Sequence, residues 1–219
     1  VVLALLRWKR PPSEPGATGF LDGVATGLVY LRQARDLQLI MLRSLLFFLP
    51  ASVLLALLPL LARNHLHLDA MGFGAISSAF GAGAVLGAFI LPTLRVRFGG
   101  EGAVSAAMAI YALGMALAIV PVPLVSGLGV GLAGIGWISV IASNNVAAQL
   151  RLPAWVRARG IAVYQMSFFG SLAVGSVLWG NVAEHLGSAW TIAVALAVLV
   201  ATTAIVWRLP RLGEPANEA

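Results

Sequence analysis

Five long runs of this sequence contain no Asp, Glu, Lys, Arg or His, and that pattern restricts the fold more than any motif does. Ser44 to Ala62 is 19 residues, Ala70 to Leu94 is 25, Gly102 to Leu150 is 49, Ile161 to Ala183 is 23 and Leu186 to Trp207 is 22. A helix needs ~20 apolar residues, range about 17 to 25, to cross the hydrocarbon of a bilayer. The 49-residue run is too long for one crossing. Pro121-Val122-Pro123 divides it, because two prolines remove backbone donors and disfavour a continuing helix. The expected architecture is an all-α membrane protein with six transmembrane helices, at about 38–62, 70–94, 102–120, 124–150, 160–183 and 187–208.

Composition agrees. Hydrophobic residues make up 60% of the chain and charged residues 10%, with a mean hydropathy of +0.94, against roughly 45–50% and 25% in soluble domains. A net charge of +6 suggests nucleic acid only if a soluble domain carries a basic face. Here the arginines sit at the ends of apolar blocks, so no nucleic-acid partner is expected and the lipid bilayer is the partner implied. The chain has no cysteine, which excludes disulfides, thiolate metal sites and cysteine nucleophiles.

Val1 to Leu6 is apolar and runs into Arg7-Trp8-Lys9-Arg10, the reverse of a signal peptide's order. It reads as the end of a preceding transmembrane helix, so the chain is expected to be a fragment. Residues 7–37 are expected to form a linker. Three prolines and two glycines interrupt positions 7 to 19, and Phe20, Val24, Leu28 and Leu31 then recur at helical spacing. That spacing suits either a helix on the membrane surface or a plain solvated helix. Residues 210–219 are expected to form a cytoplasmic tail.

Cytoplasmic loops carry an excess of Lys and Arg. With six spans and a cytoplasmic linker, one side receives Arg7, Lys9, Arg10, Arg32, Arg35, Arg43, Arg95, Arg97, Arg151, Arg157, Arg159, Arg208 and Arg211, and the other only Arg63. Thirteen against one places both ends in the cytoplasm and makes Arg95, Arg97, Arg151, Arg157 and Arg159 topology-setting loop residues.

A shift of 88 residues lays Arg63 on Arg151, Gly72 on Gly160, Phe80 on Phe168, Gly87 on Gly175 and Gly99 on Gly187. In the same register the small residues Ala79, Gly83 and Gly87 match Ser167, Ser171 and Gly175. Such stripes let helix backbones approach closely in lipid, where apolar burial gives no driving force. The second and fifth spans are thus counterparts of opposite orientation, and the six spans form two inverted three-helix repeats. Gly127 and Gly131, among five glycines between positions 127 and 136, are further packing candidates.

Ionisable groups inside the membrane are functional candidates by default. This chain offers few. Arg43 lies near the inner boundary, where it either snorkels as an anchor or serves a gate or substrate path. Asn144, Asn145 and Gln165 share a depth about 10 Å toward the cytoplasm from mid-span, at ~1.5 Å per residue. They suit an inner gate or cavity wall, or else ordinary interhelical hydrogen bonds. Trp137, near mid-depth, with Phe168 and Phe169 one turn inward, would line a path for an apolar or amphipathic solute unless they are core packing. His65, His67 and Asp69 are read as solvated turn residues, with no metal and no cofactor expected. No intramembrane acid–base or metal constellation exists, so an enzyme is not expected.

Leu152-Pro153-Ala154-Trp155-Val156-Arg157-Ala158-Arg159-Gly160, then Val163-Tyr164, and Gly175 to Gly180 resemble the C-terminal half of the transmembrane secretion effector branch of the major facilitator superfamily. Bacterial enterobactin exporters are similar members. The resemblance covers essentially the whole chain and implies helices seven to twelve of a twelve-helix fold in a bacterial inner membrane. It implies efflux of a small molecule, such as a drug or siderophore, by alternating access against an N-terminal six-helix half. It also implies antiport with protons, whose carboxylate would then lie in that other half. The superfamily's loop motif of Gly, three residues, Asp, Arg or Lys, any residue and Gly is replaced by Pro92, Val96, Arg97 and Gly99, so its gating partnership is not assigned to Arg97. The alternative to a transporter is a six-span interaction or assembly subunit.

Overall fold

The computed structural model describes residues 34–153 and 156–208. The expected linker and the polar tail lie almost wholly outside them, as do Val1 to Leu6. Five helices follow in order: α1 Arg35–Leu60, α2 Ala70–Ala118, α3 Pro123–Arg151, α4 Arg157–Leu186 and α5 Ser188–Arg208. Each is long and apolar enough to cross a membrane, and no strand occurs among the described residues.

Local chemistry sets the helix ends. Pro59 sits in the last turn of α1, after which the chain widens into one π-helical turn at Leu61–His65. Asp69 then caps α2, its Oδ1 accepting from the Gly72 backbone N–H at 2.8 Å, one of the four donors a helix start leaves unpaired. Pro123 begins α3 at a position where no N–H is needed. Gly187, at φ 77°, links α4 to α5.

The 49 residues of α2 are interrupted at Gly99, whose φ of 72° and ψ of 176° are not helical. An unbroken helix of that length would measure ~74 Å at ~1.5 Å per residue. Instead the chain doubles back. Gly83, 16 residues before the break, lies against Gly131, while Gly114, 15 residues after it, lies against Gly129 and Ala133. Both arms therefore pack on one stretch of α3 at the same level. The break falls inside the connection expected between residues 94 and 102; the helix itself continues past Arg95 and Arg97 to Gly99, where a glycine lets the backbone leave the right-handed region cheaply.

Packing is closest where small residues meet. Gly83 and Gly134 each stand so near a carbonyl of the facing helix, Gly131 and Phe80 respectively, that a methyl group would collide with it. Donors also cross between helices. Tyr111 Oη donates to the Ala51 carbonyl at 2.6 Å and Trp179 Nε1 to the Leu49 carbonyl at 2.8 Å. Both carbonyls belong to neighbouring positions of α1, so these bonds tie the second arm of α2 and the helix α4 to one level of α1. The core between α1, α3 and the second arm of α2 holds Phe47, Phe48, Tyr111, Met115 and Trp137. Large apolar side chains point the other way as well: Phe89 is 76% exposed, Val177 66% and Val200 55%. A soluble domain rarely presents so much apolar surface, and lipid is the medium that tolerates it.

Candidate functional site at the charged end of the bundle

The break at Gly99, the first turns of α1 and the end of α3 meet at one end of the bundle. There they enclose a cleft of about 920 Å³ lined by Arg43, Arg95, Glu101, Ser143, Asn144 and Arg151 among others. Arg43, Ser143 and Asn144 are buried and form its polar floor. Arg43 Nη1 donates to Glu101 Oε1 at 3.0 Å, joining α1 to the second arm of α2. Beside it, Asn144 Nδ2 donates to Ser44 Oγ at 3.0 Å, joining α3 to α1. Arg95 Nη2 reaches Ser143 Oγ at 3.4 Å, and Arg151 Nε lies 3.4 Å from Asp36 Oδ2. Neighbouring residues on each helix thus serve different partners: 43 and 44 on α1, 143 and 144 on α3.

The structure separates the sequence-selected residues into groups. Arg43 and Asn144 come together in the cleft. Asn145 turns away and donates to the Ile141 carbonyl of its own helix at 2.9 Å. Gln165 is half-buried on α4. Trp137 and Phe168 belong to an aromatic cluster deeper in the bundle, where the Trp137 and Phe48 centroids are 5.2 Å apart and those of Phe48 and Phe168 4.6 Å. Phe169 touches Phe168 at 4.9 Å but is 61% exposed. Among the loop arginines, Arg97 lies over the Phe98 ring at 5.7 Å and Arg157 Nε donates to the Leu152 carbonyl at 3.1 Å.

Of the small residues, Gly83 meets Gly131, and Gly131 in turn faces the Ala79 carbonyl. Gly87 faces Ile135 and Ile138. Ser171 Oγ donates to the Ser167 carbonyl at 2.7 Å, and Gly175 faces Leu49 and Ser52 of α1. A side chain at Gly127 would meet no atom within 4 Å. His65, expected to be solvated, has its Nε2 2.8 Å from the Ile119 carbonyl at the opposite end of the bundle. Among the described residues no group of three or more His, Cys, Asp or Glu side chains could hold a metal.

Glu101 and Ser143 line the cleft and Ser44 holds Asn144, and none of the three stood among the site candidates from the sequence. Glu101 carried a signal, being the one carboxylate between Asp69 and Glu184. Ser44 and Ser143 carried none, since a serine in an apolar helix commonly bonds its own backbone.

Long apolar helices with exposed apolar side chains, a doubled-back α2 and charge gathered at helix ends mark a multi-pass membrane protein. The chain belongs to the transmembrane secretion effector family of the major facilitator superfamily, whose family model matches residues 1–218. No curated protein matches it in sequence. Members of this superfamily are membrane transporters and in general not enzymes.

Proposed function

We propose that this chain is a six-crossing half of an exporter that moves an apolar or amphipathic small molecule by alternating access, with the substrate cavity formed against an N-terminal six-helix half. The observation that carries this reading is a reciprocal contact between two triplets of crossings: α1 with the two arms of α2, and α3 with α4 and α5. Gly87 of the first triplet packs on residues 135 and 138 of α3, and Gly175 of the second packs on residues 49 and 52 of α1. Positions 87 and 175 differ by 88, whereas the positions they touch differ by 86, so each triplet lends its middle helix to the first helix of the other. Gly99 and Gly187, also 88 apart, share one unusual conformation, φ 72° and ψ 176° against φ 77° and ψ 163°. Such exchange is what two inverted repeats around a pseudo-two-fold axis require.

The charged end, holding Arg43, Arg95 and Arg151, faces the cytoplasm on the count of Lys and Arg by side. Asp36, Asp69, Glu101 and Glu184 all lie near the first or last turns of a helical segment. The carboxylate that couples transport to protons is therefore assigned to the N-terminal half. Trp137 and Phe168 are buried in the core of this half, and of the three aromatic candidates the exposed Phe169 is the one left to line a path for an apolar or amphipathic cargo.

The test is transport by the full-length protein in inside-out vesicles with an acidic interior, using a panel of lipophilic drugs and siderophores. Proton-driven accumulation of apolar or amphipathic members is expected. Accumulation independent of the pH gradient, or confined to small hydrophilic ions, would count against it.

A further inference from the structure

We propose that the cleft at the charged end binds the phosphate of an anionic phospholipid, held by Arg43, Arg95 and Arg151 with its acyl chain along the neighbouring apolar wall. Three guanidinium groups line the cleft against two carboxylates, Glu101 at 3.0 Å from Arg43 and the half-exposed Asp36 at 3.4 Å from Arg151, which leaves a surplus of one positive charge. Among the described residues Arg95 meets a hydroxyl, Ser143 Oγ, rather than a carboxylate. Guanidinium forks match phosphate oxygens two at a time, and Ser143 and Asn144 add neutral polar groups to the same floor. A volume of about 920 Å³ falls at the upper end of the ~300–1,000 Å³ typical of small-ligand sites.

The surroundings decide between a free anion and a lipid. Ile40, Val104, Val146, Leu150 and Val206 line the cleft beside the arginines. Val146 and Leu150 are exposed, Leu150 by 62%, so the cleft has an apolar side open at the surface of the described residues. A soluble phosphate has no use for that wall, whereas a phosphodiester carrying an acyl chain matches both halves. Basic recesses between membrane helices at the interface are suited to such headgroups. This inference needs the membrane placement of the helices but not the identity of any transported solute.

The experiment uses the full chain reconstituted with equal phosphatidylglycerol and phosphatidylethanolamine, released into native mass spectrometry, with retained lipid counted. The unaltered protein should retain phosphatidylglycerol preferentially. Arg95→Gln and Arg151→Gln should each weaken retention about fivefold, as expected for one arginine near a lipid phosphate. Arg95→Lys should keep most of it, which separates loss of charge from loss of fold. Arg157→Gln, the same change of net charge outside the cleft, should leave retention unchanged. Equal retention of both lipids by the unaltered protein would overturn the proposal, as would an equal loss in Arg157→Gln or displacement of the lipid by inorganic phosphate alone.

Discussion

At the scale of single residues, burial and contact decide which candidates matter. The Arg43–Glu101 pair is unevenly placed, its side chains 11% and 37% exposed. Solvent at Glu101 screens the attraction, so a double-mutant cycle with Arg43→Gln and Glu101→Gln should give a coupling of ~1 kcal/mol or less, measured as thermal stability in detergent. A coupling of several kcal/mol would show that the pair is sealed from water. Glycine tests are sharper. Gly134→Ala drives a methyl into the Phe80 carbonyl and should cost about 1–3 kcal/mol. Gly127→Ala meets open space and should be neutral or slightly stabilising, since alanine is the better helix former. Sequence alone could not tell these two glycines apart. Both lie in the same glycine-rich segment, and only the crossing point of α2 on α3 distinguishes them.

At the scale of elements, two glycines carry the turns. Gly99 and Gly187 hold positive φ with extended ψ, a region open to glycine and costing other residues about 1–3 kcal/mol. Gly99→Ala and Gly187→Ala should therefore each lower thermal stability, while Gly100→Ala, with no positive φ and no close neighbour, should not. Equal effects at positions 99 and 100 would refute the account of the break. Much of this was legible beforehand: uncharged runs place the helices, and the 88-residue register pairs Gly99 with Gly187. The break at Gly99 lies within the connection expected between residues 94 and 102, while the helix runs on past Arg95 because arginines can be carried past the hydrocarbon boundary by snorkelling. The cleft was less legible. Arg43 and Asn144 were visible as polar groups in apolar helices, but their partners Glu101 and Ser44 lie 58 and 100 residues away in sequence.

At the scale of the whole molecule, the central claim is that α2 is two crossings and that the charged end lies on the cytoplasmic side of a six-crossing bundle. The chain has no cysteine, so single cysteines can be introduced without removing any. Gly100→Cys and Ala158→Cys mark the charged end; Asn64→Cys and Leu186→Cys mark the other. A membrane-impermeant maleimide applied to intact cells should label positions 64 and 186 and spare 100 and 158, with the pattern reversed in inside-out vesicles. Labelling of positions 64 and 100 from the same side would contradict the doubled-back α2 and the topology built on it.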